Sequence, residues 1–176
     1  SAHRGGNRGI NHRCKSVPCE KIGGLHTRKE SRVLNLVELL KAHMIIAIIP
    51  TKKNSNRMPD KNMRVLLGRP LLEHAIDYVK QSRRISRIYV STDNVAIADF
   101  AESQGVKVVS RLEILGGETP LIDVYRHALN TMKLKDVKTV AGVQVDHPDR
   151  NISMDEALDK YEDEGLDCLY SKDAHG

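Results

Sequence analysis

The chain has 176 residues and 40% hydrophobic content, enough for one domain with a real apolar core. No run approaches the roughly 20 apolar residues of a membrane span, and no h-region of a signal peptide follows the basic amino-terminal residues. No membrane partner is expected, and the expected location is the cytoplasm. The net charge of +5 is uneven: residues 1–43 hold nine Lys/Arg against three Asp/Glu and the remainder nineteen against twenty, so the high isoelectric point says nothing about what the main domain binds.

Residues 1–26 are rich in Gly, Arg, Asn and His and read as a basic, flexible extension. Its cations lack interleaved aromatics, so a solvated tail is expected rather than a nucleic-acid partner. Cys14 and Cys19, with His12 nearby, amount to a zinc half-site at most, because four residues separate them and no second pair follows. Cysteine usage fits an intracellular protein. Thr27 to His43 reads as an amphipathic helix or linker, with Val33, Leu36, Val37, Leu39 and Leu40 on its apolar side.

The main domain is expected over residues 44–176. It opens with Met44 to Ile49, an apolar run without alternation, which predicts a strand buried on both faces, as in the middle of a parallel sheet. The loop after Pro50 carries Lys52, Lys53, Arg57 and Lys61, interspersed with Asn54, Ser55, Asn56 and Asn62. Such a loop, at the carboxyl edge of a strand, suits phosphate: cations neutralise its oxygens, and small polar groups with free N–H groups complete an anion nest. It has neither GxxxxGK[ST] nor GxGxxG, and a solvated basic loop is the alternative reading.

Pro70 to Val79 then predicts a helix with Leu71, Leu72, Ala75, Ile76 and Val79 on one face. Ile88 to Val90 predicts a strand leading into Ser91, Thr92 and Asp93. Asn94 can cap a helix through Ser103 that stops at Gly105, and Val106 to Arg111 follows as another strand. Thr119 and Pro120 open a helix through Met132, and Lys138 to Val145 is the next strand. Ser153 and Glu156 form a capping box for a helix ending at Gly165, and Leu166 to Tyr170 is expected as a last strand holding Cys168 as a small core residue. This alternation predicts an α/β fold, a mostly parallel sheet with helices on both faces. One Phe and no Trp leave the core to aliphatic side chains.

The basic loop resembles the signature of the acylneuraminate cytidylyltransferases, a family that includes relatives acting on legionaminic-type sugars and whose first loop reads roughly A-R-x-x-S-K-x-x-P-x-K-N. Ser55, Pro59, Lys61 and Asn62 match. Lys52 stands in place of Arg, keeping charge without the bidentate fork, and Asn56 in place of Lys, with Arg57 beside it as a substitute cation. The resemblance continues to the carboxyl terminus. Ser91-Thr92-Asp93 is similar to an S-T-D segment, Val106 to Arg111 to V-x-V-V-x-R-P with Leu112 for Pro, and Glu118-Thr119 to D-T. Gln144 to Arg150 aligns with Q-P-T-S-P-L-R, while its Asp146 resembles the metal-binding Asp in the Q-G-D-E-P of the related ketodeoxyoctonate enzymes; a turn or cap role before Pro148 is the alternative for Asp146.

The resemblance implies a Rossmann-like fold of the nucleotide-diphospho-sugar transferase type. It also implies transfer of CMP from CTP to an acidic nine-carbon sugar such as a sialic or legionaminic acid, with release of pyrophosphate. It places Lys52, Ser55, Arg57 and Lys61 on the triphosphate, Asn62, Ser91 and Asp93 on the nucleotide, and Arg111, Gln144 and Arg150 towards substrate. Asp146 would hold Mg²⁺. His147 is expected to set local polarity rather than to bind metal. Family members continue for some tens of residues beyond the position of Gly176, so further metal-binding aspartates, part of the sugar site and a homodimer contact are expected outside this chain. A ketodeoxyoctonate or other sugar cytidylyltransferase, and a degenerate nucleotide-binding domain without turnover, are the two other readings.

Overall fold

The computed structural model describes residues 44–52, 60–112, 119–134 and 136–171. The expectations for residues 1–43, and for Ser55, Asn56, Arg57 and Pro59, lie outside these. The described residues fall into two units, one running to Met154 and one made of residues 155–171.

The first unit is built on β1 (Met44–Pro50), whose residues 45 to 49 are all buried. A single 3₁₀ turn (Lys61–Met63) follows, then a two-residue hairpin, β2 (Val65–Leu66) and β3 (Arg69–Pro70), and helix α1 (Leu71–Lys80). The chain continues through β4 (Arg87–Thr92), α2 (Val95–Ser103), β5 (Lys107–Ser110), α3 (Leu121–Met132) and β6 (Val137–Gly142). β4, β1, β5 and β6 form one parallel sheet in the order β5-β4-β1-β6. Parallel neighbours need crossovers, which the helices supply.

The unalternating run of β1 is explained by that position. Ile46 and Ile48 join Tyr89, Val109 and Ala128 of α3 in one cluster, packed further by Tyr125, Leu129 and Met132. The alternate set, Ile45, Ala47 and Ile49, is buried too, and α1 is a second helix in contact with β1. Helix α1 buries Leu72, Ala75, Ile76 and Val79, the predicted stripe apart from a half-buried Leu71. Full burial of each such aliphatic side chain stabilises the fold by about 1.5–3 kcal/mol before entropy is counted.

Helix ends follow their sequence signals. Asn94 accepts a hydrogen bond from Ile97 N at 3.2 Å as the cap of α2. At its far end Val106 N donates to Ala101 O and Gly105 N to Glu102 O, a Schellman motif that needs the positive φ of Gly105 (72°). The turn of the β2–β3 hairpin has positive φ at both Leu67 (51°) and Gly68 (82°); the first is an uncommon setting for a bulky residue. Arg69 ties this hairpin to α1 through Asp77 (2.5 Å) and Glu73 (3.4 Å), and His74 Nε2 lies 2.8 Å from Leu66 O.

In the second unit α4 (Met154–Asp163) starts directly after Ser153, as the capping box predicts, and closes with Leu166 N on Tyr161 O and Gly165 N on Glu162 O. The expected strand over Leu166–Tyr170 is not formed, and Cys168 is exposed rather than in a core. Asp167 interrupts an already short apolar run, and no described strand pairs with it. The strand expected to reach Val145 ends at Gly142, although Val143 N still donates to Ile48 O at 3.0 Å. Beyond it the chain turns through Val145 and Asp146. Among the described residues no helix is long and apolar enough to cross a membrane.

Candidate functional site

In the order β5-β4-β1-β6 the chain first adds strands on one side of β1 and then returns to its other side, which makes the carboxyl edge between β1 and β6 a topological switch point. Open α/β sheets bind ligands in the crevice at such a point. In this chain a cleft of about 250 Å³ is lined by Thr51 and Lys52 after β1, Lys61 and Asn62 from the 3₁₀ turn, Arg111 after β5, and Gln144 and Asp146 after β6. Thr119, Leu121 and Val124 from the start of α3 add a partly apolar wall.

The floor of the cleft is fixed by backbone groups. Thr51 is 1% exposed; its N donates to Ser91 O at 2.9 Å and its Oγ1 donates to the same oxygen at 3.3 Å. Arg111 N donates to Thr92 O at 2.8 Å, continuing the β4–β5 ladder. The Arg111 side chain is 4% exposed; Nη2 donates to Thr51 O at 2.7 Å and lies 3.5 Å from Asp93 Oδ1. One buried guanidinium therefore joins the ends of β1, β4 and β5. Arg111 Nε and Ser91 Oγ are buried and find no partner among the described residues. Such orphaned groups in a native site call for a ligand, water or ion.

The mouth of the cleft is polar and charged. Asn62, 5% exposed, donates from Nδ2 to Lys52 O at 2.9 Å and so fixes where the loop leaves β1. Lys61 Nζ meets Asp146 Oδ2 at 2.8 Å, with the two side chains 27% and 38% exposed. Burial pushes the Asp146 carboxyl up, but the Lys61 hydrogen bond, its own backbone N–H and the charges of Lys61 and His147 outweigh this and hold it below the ordinary carboxylate value. It is therefore an anion at neutral pH, set beside cations in the turn that follows β6. A hard divalent cation fits this donor: Mg²⁺ is commonly held by one or two carboxylates together with phosphate oxygens and water. Among the described residues there is no group of three or more His, Cys, Asp or Glu that would form a closed protein cage.

A cytidylyltransferase family model matches residues 46–164, spanning the sheet and the whole cleft. The chain belongs to the cytidylyltransferase family. Within it, the chain is 45% identical over 64 residues to the CMP-N,N'-diacetyllegionaminic acid synthase of Legionella pneumophila, covering 36% of this chain and 28% of that protein. It is 32% identical over 104 residues to the 8-amino-3,8-dideoxy-manno-octulosonate cytidylyltransferase of Shewanella pealeana, covering 59% and 41%. It is 34% identical over 104 residues to the 3-deoxy-manno-octulosonate cytidylyltransferase of Wigglesworthia glossinidia brevipalpis, covering 58% and 41%. The matched region thus spans less than half the length of each relative. The fold is shared with a CMP:2-keto-3-deoxy-manno-octonic acid synthetase solved in complex with CTP (TM-score 0.59, 19% identity, 69% of this chain and 48% of that one).

In this cytidylyltransferase chain, six of the residues singled out in the sequence line one cleft: Lys52, Lys61, Asn62, Arg111, Gln144 and Asp146. Ser91 and Asp93 do not line it but sit directly behind, bonded to Thr51 and Arg111. Arg150 is placed differently. Its Nη1 donates to His147 O at 2.6 Å, its Nη2 donates to Gln144 O, and its guanidinium lies 4.9 Å from the centroid of the Tyr78 ring. The sequence reading did not single out Thr51, Tyr78 or the wall from Leu121 and Val124. Thr51 had a signal, a small polar residue immediately after the strand; Tyr78 and the α3 wall had none, because their places depend on strand order.

Proposed function

We propose that the chain carries the nucleotide site of a CTP-dependent cytidylyltransferase that transfers CMP to an acidic nine-carbon sugar of the sialic or legionaminic type. The observation that carries this reading is the Lys61–Asp146 pair, a phosphate-type cation and a metal-type carboxylate facing each other across the β1/β6 crevice of a cytidylyltransferase fold. The 45% identity to a legionaminic acid synthase supports the nine-carbon class. The octulosonate enzymes among the relatives, and the Asp in the Gln144–Pro148 segment, favour an eight-carbon acid as the second reading.

In the reaction a sugar hydroxyl attacks the α-phosphorus of CTP: the new O–P bond forms as the bond from the α-phosphorus to the bridging oxygen breaks, that oxygen leaves with pyrophosphate, and the hydroxyl proton is released to solvent. Lys52 and Lys61, with Arg57 of the same loop, neutralise the triphosphate while the Ser55 hydroxyl hydrogen-bonds it, and the cations favour the extra negative charge that builds on the leaving group. Asn62 holds the loop against Lys52 O, and Arg111 keeps the ends of β1, β4 and β5 in register beneath the nucleotide. Gln144, which lines the cleft, is assigned to the sugar acid. A magnesium ion, when bound, would supply charge neutralisation at the phosphates, and Asp146 is the residue that would hold it.

The test is calorimetric titration of this chain with CTP, ATP, GTP and UTP, with and without Mg²⁺, followed by pyrophosphate release from the protein encoded by the whole gene with nine- and eight-carbon acids. Selective CTP binding strengthened by Mg²⁺ is the expected result. Turnover with the eight-carbon acid alone would replace the first reading by the second, and absence of CTP binding and of turnover in the whole protein would overturn both.

A further inference from the structure

We propose that Arg150 and Tyr78 form a clamp that sets the turn carrying Gln144 and Asp146, so that Arg150 acts as a positioning residue and not as a contact to phosphate or sugar. The inference rests on the preceding reading of the cleft only for what the turn is positioned to bind. Its observations concern the guanidinium itself. Two of its nitrogens donate to the carbonyls of Gln144 and His147, which bracket Asp146, and its face covers the Tyr78 ring at 4.9 Å. Tyr78 in turn donates from its hydroxyl to Ile152 O at 3.1 Å, so α1 is fastened to the segment both at Arg150 and two residues beyond it. The turn lies beyond the last β6 residue, Gly142, and among the described residues no sheet ladder holds it after Val143. Lys61 reaches Asp146 from the far side of the cleft, but a flexible, part-exposed side chain fixes a carboxylate poorly. The planar fork is the group that can bind two carbonyls and stack on an aromatic at once. A lysine ammonium, a point charge on a flexible stem, cannot reproduce that arrangement.

The variants are Arg150→Lys, Arg150→Ala, Tyr78→Leu and Tyr78→Phe in this chain. The first readout needs no ligand: amide hydrogen exchange over residues 143–148 of the free protein should quicken about tenfold in Arg150→Lys and Tyr78→Leu, with the double variant no worse than either single one. Tyr78→Phe, which keeps the ring, should exchange more slowly than Tyr78→Leu. The second readout is CTP affinity. Arg150→Lys and Tyr78→Leu should both lose roughly 10–100-fold of Mg²⁺-supported affinity, as partners that orient a metal ligand do, while metal-free binding changes little. Wild-type exchange and affinity in Arg150→Lys would show that charge alone suffices and overturn the clamp, as would a neutral Tyr78→Leu. If Arg150→Ala does not fold, the lysine and leucine variants carry the test. If this chain binds no CTP, turnover by the whole protein decides the functional reading while the exchange data still decide the clamp.

Discussion

Lys61 and Asp146 stand 85 positions apart in the chain and 2.8 Å apart in the fold. Both are part-exposed, so their ion pair contributes at most about 1 kcal/mol to stability. Lys61→Ala and Asp146→Asn should therefore leave the unfolding free energy within about 1 kcal/mol of wild type, read by urea denaturation. Their effect on binding is expected to be larger and unlike. Lys61→Ala should weaken CTP at least about tenfold with or without Mg²⁺, as loss of a charge-assisted phosphate contact does. Asp146→Asn should erase only the increment that Mg²⁺ adds; equal behaviour of the two variants would mean that they do not have separate phosphate and metal roles. The Asp146 carboxyl also gives the fold a pH signature. Because its folded value lies below its unfolded value of about 3.9, its contribution is complete above that pH and disappears as pH falls through the lower folded value. Wild type should thus lose more stability than Asp146→Asn between pH 5 and pH 3, with the two curves parallel above pH 5.

At the scale of elements, the site depends on how strand ends are joined. Arg111 closes β5 and binds both the Thr51 carbonyl after β1 and the Asp93 carboxylate after β4. Arg111→Lys keeps the charge but loses the fork, leaving a buried carbonyl or carboxylate underpaired, and should cost about 1–3 kcal/mol in denaturant melts. A lysine variant of unchanged stability would show that the side chain is not a strap. β6 has a different constraint at its last residue. A Cβ on Gly142 would collide with the Tyr125 phenol, whose hydroxyl is the nearest atom and whose Cζ would lie at 2.6 Å. Tyr125 is packed on the core of Ile46 and Ile48, where burial also pushes its phenol pKa up, so it cannot simply swing away. Gly142→Ala should destabilise by about 1–3 kcal/mol. Adding Tyr125→Phe should relieve that only in part, since the ring carbon stays in the way.

Taken whole, the molecule divides into what one stretch of chain can dictate and what only the assembled sheet can. β1, α1, the Asn94 cap and the Gly105 stop were legible because an unbroken apolar run, a 3.6-residue stripe and capping residues act within a few positions of themselves. The order β5-β4-β1-β6, the Arg111 strap and the use of Arg150 on carbonyls were not, because each joins residues whose proximity no local pattern encodes. Leu67 in a left-handed turn and the Leu166–Tyr170 run outside any strand show local preference yielding to context. That division has a measurable form. Buried on both faces and paired on both edges, β1 should hold the slowest-exchanging amides of the protein, while the β2–β3 hairpin, two residues per strand with Val65 and Leu67 largely exposed, should exchange fast. CTP bound at the switch point would bridge the ends of β1 and β6. It stabilises the folded state by about 2.7 kcal/mol at a hundredfold excess over its Kd. The added protection should then fall on residues 51–52, 61–62 and 143–146, with little gain in the hairpin or along the β5 edge. Protection gathered at β5 instead would place the nucleotide away from the crevice, and would take the phosphate role from Lys61 and the metal role from Asp146.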